Sequence, residues 1–176
     1  MPAHRAAILI ATGLMTVLPF AAADPAFTSG GLLLTEVLYN PTGSEPGAEA
    51  FEIWNPSPLD VDLAGWSVTD RDTCRPAGAP EPVPGSYALS GSVPALGHVA
   101  ITIPSYGSPR CIALGNTGDE LDLVAPDGTT GDTVAWGSGG SDGLSLQRCI
   151  VDDAWTLAAP TLGSPNTVCA PPVPAP

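Results

Sequence analysis

Apolar and polar residues along this chain fall into short extended segments broken by turns. The clearest run spans residues 48–70, AEAFEIWNPSPLDVDLAGWSVTD. Phe51, Ile53 and Asn55 alternate with Glu52 and Trp54, the two-residue period of a strand with one buried face. Pro56, Ser57 and Pro58 end that strand. Val61 and Leu63 then alternate with Asp60 and Asp62, and Gly65 supplies a corner that delivers Trp66 to the interior. Two or three strands are expected here. Upstream, residues 32–39 (LLLTEVLY) predict a first strand, with Leu34, Glu36 and Leu38 on one side and Leu33, Thr35, Val37 and Tyr39 on the other, apolar side. Glu36 and Glu52 lie within strands and read as either functional or simply exposed acids, with exposure the expectation.

Residues 71–96 carry Pro76, Pro80, Pro82, Pro84 and Pro94. They read as a long surface loop tied down by Cys74, with a short edge strand at Tyr87 and Leu89. Residues 99–103 predict a strand with Val99, Ile101 and Ile103 on one face. The stretch 111–124 reads as a compact unit around the Asn116-Thr117-Gly118-Asp119 turn. Pro126-Asp127-Gly128 is a hairpin signal leading into a return strand through Asp132, Val134 and Trp136. A glycine-serine loop at 137–143, a strand at 144–148 and a closing turn at 160–166 follow. The tail 170–176 is expected to be polyproline-like and unpacked. Outside residues 6–18 no 3.6-residue apolar stripe runs for three turns, so the fold class is all-β, a sandwich.

At 176 residues the chain is long enough for one domain with a real core. Its 20 glycines and 21 prolines are spread between the apolar runs, as frequent turns require. Five basic residues against 18 acidic ones give a net charge of −13, which repels phosphate backbones and disfavours nucleic acid as a partner. Arg5, the apolar run 6–18 and Ala21-Ala22-Ala23 read as a signal peptide, 1–23, cleaved after Ala23. The apolar run is short for a membrane span, and no basic stop-transfer cluster follows. The mature chain is therefore expected to be secreted, periplasmic or extracellular, with a leader at 24–31, a domain at 32–169 and the tail.

Export gives the cysteines a meaning. Cys74, Cys111, Cys149 and Cys169 are even in number and show no zinc-type spacing, so two disulfides are expected. Of the three possible pairings, Cys74–Cys111 and Cys149–Cys169 are favoured because each closes a loop between neighbouring elements.

Several segments in order resemble the lamin-tail domain: TEVLYNP at 35–41, AFEIWN at 50–55, VDLAGWSVTD at 61–70, LGNTGDELDL at 114–123, PDG at 126–128, LSLQR at 144–148 and PTLGSPN at 160–166. The resemblance implies an immunoglobulin-like β-sandwich of the kind found in nuclear lamins and in exported bacterial proteins. It implies a general interaction role and no shared catalytic residues. No heptads accompany it, so filament assembly is not implied.

The remaining chemistry is thin. Residues 139–143, GGSDG, fit the nucleophile-elbow pattern, but no histidine follows Ser141, so a triad in hydrolase order has no base. His98 has no second histidine beside it and is expected to be structural or solvated. No enzyme, and no cofactor, is therefore expected. Calcium is the better chemical alternative, with Asp60, Asp62, Asp70 and Asp72 as candidate ligands; Glu120/Asp122 and Asp152/Asp153 are further acidic pairs. A calcium site needs six or more oxygens, and no EF-hand spacing supplies them. The expected function is a non-catalytic binding or structural module contacting a protein or envelope component. Trp54 and Tyr39 are candidate contact residues if exposed, core or partial burial being the equal alternative for each, and a calcium-assisted carbohydrate or envelope binder is the alternative function.

Overall fold

The structure, a computed structural model, describes residues 31–43, 47–74, 83–103, 112–139 and 142–169, leaving aside the side chains at 72–74, 83–84 and 169. Eleven strands run through the described residues: β1 (Leu33–Leu38), β2 (Ala50–Trp54), β3 (Val61–Asp62), β4 (Ser67–Cys74), β5 (Val83–Ala88), β6 (Ser92–Val93), β7 (His98–Thr102), β8 (Gly118–Val124), β9 (Thr130–Gly137), β10 (Ser145–Arg148) and β11 (Trp155–Ala158). A 3-10 turn, Thr167–Cys169, follows them. The signal peptide and leader expected at 1–31 and the tail at 170–176 fall almost wholly outside the described residues.

The strands form a five-stranded sheet in the order β11-β10-β1-β2-β7, a four-stranded sheet in the order β5-β4-β8-β9, and the small β3-β6 pair. Every pairing is antiparallel. The two large sheets close over one apolar core, an immunoglobulin-like β-sandwich. Leu34, Val37, Phe51 and Ile53 supply one side of that core, and Val68, Leu121, Leu123 and Val134 the other. Leu63 and Val93 cap it from the small pair. Each fully buried side chain of this size stabilises by about 1.5–3 kcal/mol through removal of apolar surface from water.

Gly65 makes the expected corner between β3 and β4. Its φ is +84°, and an added Cβ would lie 3.1 Å from Pro126 Cβ. Trp66 N donates to Leu63 O to close that turn, and the indole packs partly buried against the core. The Pro126-Asp127-Gly128 hairpin also forms, with Gly128 N donating to Ala125 O and Ala125 N to Thr129 O.

Two expectations are corrected, and one strand is added. Residues 71–74 and 83–88 are strand rather than loop: β4 runs on to Cys74 and pairs with β5 across Cys74 and Val83, the expected edge strand at Tyr87 starts earlier, and Pro84 sits in it, where a missing donor is tolerated; residues 75–82 lie outside the described residues. Strict alternation in β1 fails because a bulge lies between Leu34 and Glu36 and puts Leu34 and Val37 together on the core; residues 34–37 are all buried because both faces of the strand are covered. Trp155 begins a strand, β11, that the pattern did not reveal; its four residues are too short to display a period.

Candidate functional site

Glu36 and Glu52, expected on the solvent side, are both 0 % exposed. The register explains their placement. Glu36 lies opposite Gln147 on one side and Glu52 on the other, while Val37 lies opposite Leu146 and Phe51. One face of the sheet is thus apolar and packs on the core, and the opposite face is polar. The closing segment folds back over that polar face. Thr161 donates to Glu36 from both N and Oγ1, each at 2.9 Å, and Gly163 N donates to Glu52 Oε2 at 2.7 Å. Asn166 Nδ2 reaches Thr35 O and Arg148 O at 2.6 and 3.0 Å. Ser145 Oγ and Gln147 Nε2 complete the shell of Glu36, and Thr35 Oγ1 donates to Glu52.

His98 belongs to the same arrangement. Its Nδ1 lies 2.9 Å from Glu52 Oε1, and its ring sits 6.1 Å from that of Trp54. A carboxylate only accepts, so the imidazole donates through Nδ1. Among the described residues no hydroxyl or thiol contacts this imidazole, and no nucleophile–base pair is built there.

A second set of carboxylates fixes residues 113–115, which lie in no strand. Glu49, Asp70 and Asp119 are buried and accept from the backbone N of Leu114, Ala113 and Gly115 at 3.1, 3.1 and 2.9 Å. Trp136 Nε1 donates to Gly115 O at 2.8 Å. Asn55, also buried, donates to the carbonyls of Leu59, Val93 and Pro94 and accepts from Ser57 N, so it clamps two loops at one end of the sandwich. In each case a buried polar side chain satisfies backbone groups that no strand partner reaches.

Where the frame meets solvent it leaves a shallow cleft of roughly 260 Å³. Tyr39, Trp136, Leu146, Trp155 and Leu157 line it, with residues 137–139 at its rim. Tyr39 and Trp136 stack with centroids 5.2 Å apart and planes at 15°. Arg148 lies 5.6 Å from the centroid of the Trp155 ring and is held by Asp132 at 2.7 Å and by Asp153. Leu146 and Leu157 are opposite one another on the core-facing side of β10 and β11, and β11 is the outermost strand. The cleft is therefore the part of the inner sheet face that the four-stranded sheet does not cover.

The residues singled out by the sequence are dispersed. Asp60 Oδ1 accepts from Ala95 N and Asp62 Oδ1 from Ala64 N at the surface, Asp70 is buried with Ala113, and the side chain of Asp72 lies outside the described residues. Among the described residues, no three His, Cys, Asp or Glu side chains come together so as to hold a metal ion. Cys149 is buried and disulfide-bonded; the side chains of Cys74, Cys111 and Cys169 lie outside the described residues, as do Gly140 and Ser141 of the elbow pattern. Tyr39, a candidate contact residue, is 2 % exposed and contributes an edge of the cleft wall rather than open surface. The roles of Glu36, Glu52, Asp119 and Asn166 had one sequence signal: each falls inside a segment that resembles the lamin-tail domain.

Among the described residues no helix is long and apolar enough to cross a membrane. No curated protein matches the chain. The family model described as Lamin Tail Domain matches residues 25–138, through β9. With this match over well more than half of its length, and with an immunoglobulin-like sandwich whose motif residues hold the fold together, the chain belongs to the lamin tail domain family.

Proposed function

We propose that this protein is an exported, non-catalytic binding module whose contact surface is the aromatic cleft between β9 and the β10–β11 edge. Membership of a family of non-enzymatic, interaction-type domains supports the general role. The observation that carries the assignment is the division of labour among side chains. The buried carboxylates are saturated by donors from the chain's own backbone and side chains, so they build a frame. Trp136 and Trp155 are instead held at the surface with ring area open to a cleft. Rigid aromatic side chains lose little conformational freedom on binding and commonly anchor contacts.

In this reading residues 1–23 are removed on export, the domain spans 32–169, and Cys74–Cys111 and Cys149–Cys169 staple it. The partner is a protein or envelope component reached by the secreted chain. Retention of a partner from an envelope fraction, compared between the native protein and Trp155→Ala with and without chelator, tests it. Retention that survives chelation and falls at least tenfold in the variant is expected. Equal retention by both proteins would overturn the cleft assignment, and retention lost in chelator would favour the calcium-assisted alternative.

A further inference from the structure

The cleft lies at the β11 edge, and the chain itself carries a segment of matching chemistry directly after residue 169 in sequence. Residues 167–169 pack against β10 and β11, the strands that contribute Leu146, Trp155 and Leu157 to the cleft. Directly after them the sequence reads APPVPAP at 170–176, four prolines in seven residues with no charged side chain. Resting on the reading of the cleft as a contact surface, we propose that its occupant is a proline-rich segment, and that this chain's own residues 170–176 bind there in cis.

Three physical points lead to this occupant. Proline-rich chain is already extended as polyproline II, so docking it orders little, and aromatic-lined grooves are the surfaces that recognise it. Proline has no backbone N–H, so such a segment cannot lengthen the sheet by pairing along β11; its favourable contacts are ring against ring. The distance is also within reach. The closing segment lies on the polar face of the five-stranded sheet and the cleft on the core-facing side, separated by β11 alone, which is an edge. Seven residues of polyproline II span about 22 Å at about 3.1 Å per residue, several times the about 4.8 Å between neighbouring strands, so the segment is long enough to round one edge strand. An uncharged segment also avoids the repulsion that an acidic one would meet at a surface of net charge −13. Docked in this way, the segment would be an internal competitor that an external proline-rich partner must displace.

The test is a pair of ¹H–¹⁵N spectra of the four tryptophan indoles, recorded on the mature chain and on a chain ending at Cys169. Removal of 170–176 is expected to shift the Trp155 and Trp136 indole signals and leave those of Trp54 and Trp66 in place. The synthetic peptide APPVPAP, added at millimolar concentration, is expected to restore them. Nuclear Overhauser contacts between proline Hδ protons and the Trp155 ring are expected in the longer chain. A chain whose four tail prolines, 171, 172, 174 and 176, are replaced by alanine should match the truncated one, and it leaves the domain itself untouched. Unchanged indole signals on truncation would overturn the proposal. So would shifts that appear only at high protein concentration, with contacts between differently labelled copies, since the occupant would then be a second chain. These outcomes are separate from that of the envelope experiment: the tail can fail while Trp155→Ala still loses the external partner.

Discussion

Glu36 is one of two buried carboxylates that hold the closing segment on the sheet. Glu36 is buried and accepts from Ser145, Gln147 and twice from Thr161, so its removal strands several donors at once. An unsatisfied buried donor costs about 1–3 kcal/mol. Glu36→Ala is therefore expected to lower unfolding free energy by about 3 kcal/mol or more in urea titration, and Thr161→Val, which keeps the backbone donor, by about 1 kcal/mol. An effect of Glu36→Ala below that of Thr161→Val would mean the carboxylate is not the anchor. The sequence hid this because a two-residue period distinguishes two faces of a strand without saying what covers either. The covering residues lie 111 and 125 positions away, beyond any local pattern. Two titrations extend the residue scale. Burial pushes the Tyr39 phenol above its ordinary value of 10. A raised folded value gives stabilisation that is complete below the unfolded value and is lost as pH rises through the folded one. Melting temperature should thus decline above about pH 10, and less so in Tyr39→Phe. Asp127 runs the other way. The Thr129 hydroxyl, then its N–H, hold that carboxyl below its ordinary range. Its contribution is present above the ordinary value and lost as pH falls through the folded one, and Thr129→Val should shift the Asp127 titration upward in NMR.

At the scale of elements, the β8–β9 half of the four-stranded sheet is readable, while its β5 edge and the five-stranded sheet are readable only in part. The hairpin around Gly128 joins neighbours in sequence, so turn chemistry and alternation revealed β8 and β9 together. By contrast β10 pairs with β1 across more than 100 positions, and β1 is central because β10 and β2 flank it. The family match ends at residue 138, before β10 and β11, yet these strands cover one side of β1 and position Gln147, Ser145 and the closing segment. A chain ending at residue 138 would leave Glu36 buried without its donors or exposed along with an unpaired central strand. It is expected to be unfolded or aggregated by circular dichroism and size-exclusion chromatography, whereas a chain ending at Cys169 keeps a cooperative melt. A cooperative melt of the 138-residue chain would show that the match boundary is also the folding boundary. Residues 71–96 fail for a different reason. Proline count points to loop, but an edge strand tolerates Pro84, and no count separates the two states.

The whole molecule is shaped by charge as much as by its core. Acidic residues outnumber basic ones by 18 to five, and the described Arg148 is already engaged by Asp132, Asp153 and the Trp155 ring. The interior carboxylates are compensated by N–H and O–H donors. The exposed ones, among them Asp60, Asp62 and Asp152, share a chain with only five basic residues, so the folded state concentrates like charge that an unfolded chain would spread out. Monovalent salt should relieve this without any specific site. With a Debye length of about 30 Å at 0.01 M and about 10 Å at 0.1 M, most of the repulsion across a domain of this size is screened within that interval. Melting temperature is expected to rise by several degrees between these two concentrations of sodium chloride and then level off. Equimolar potassium chloride should match it, because screening depends on ionic strength alone. A melting temperature indifferent to salt would show that the exposed acids do not oppose folding. A rise confined to millimolar calcium would instead require a discrete ligand set, and would return Asp60, Asp62, Asp70 and Asp72 to consideration.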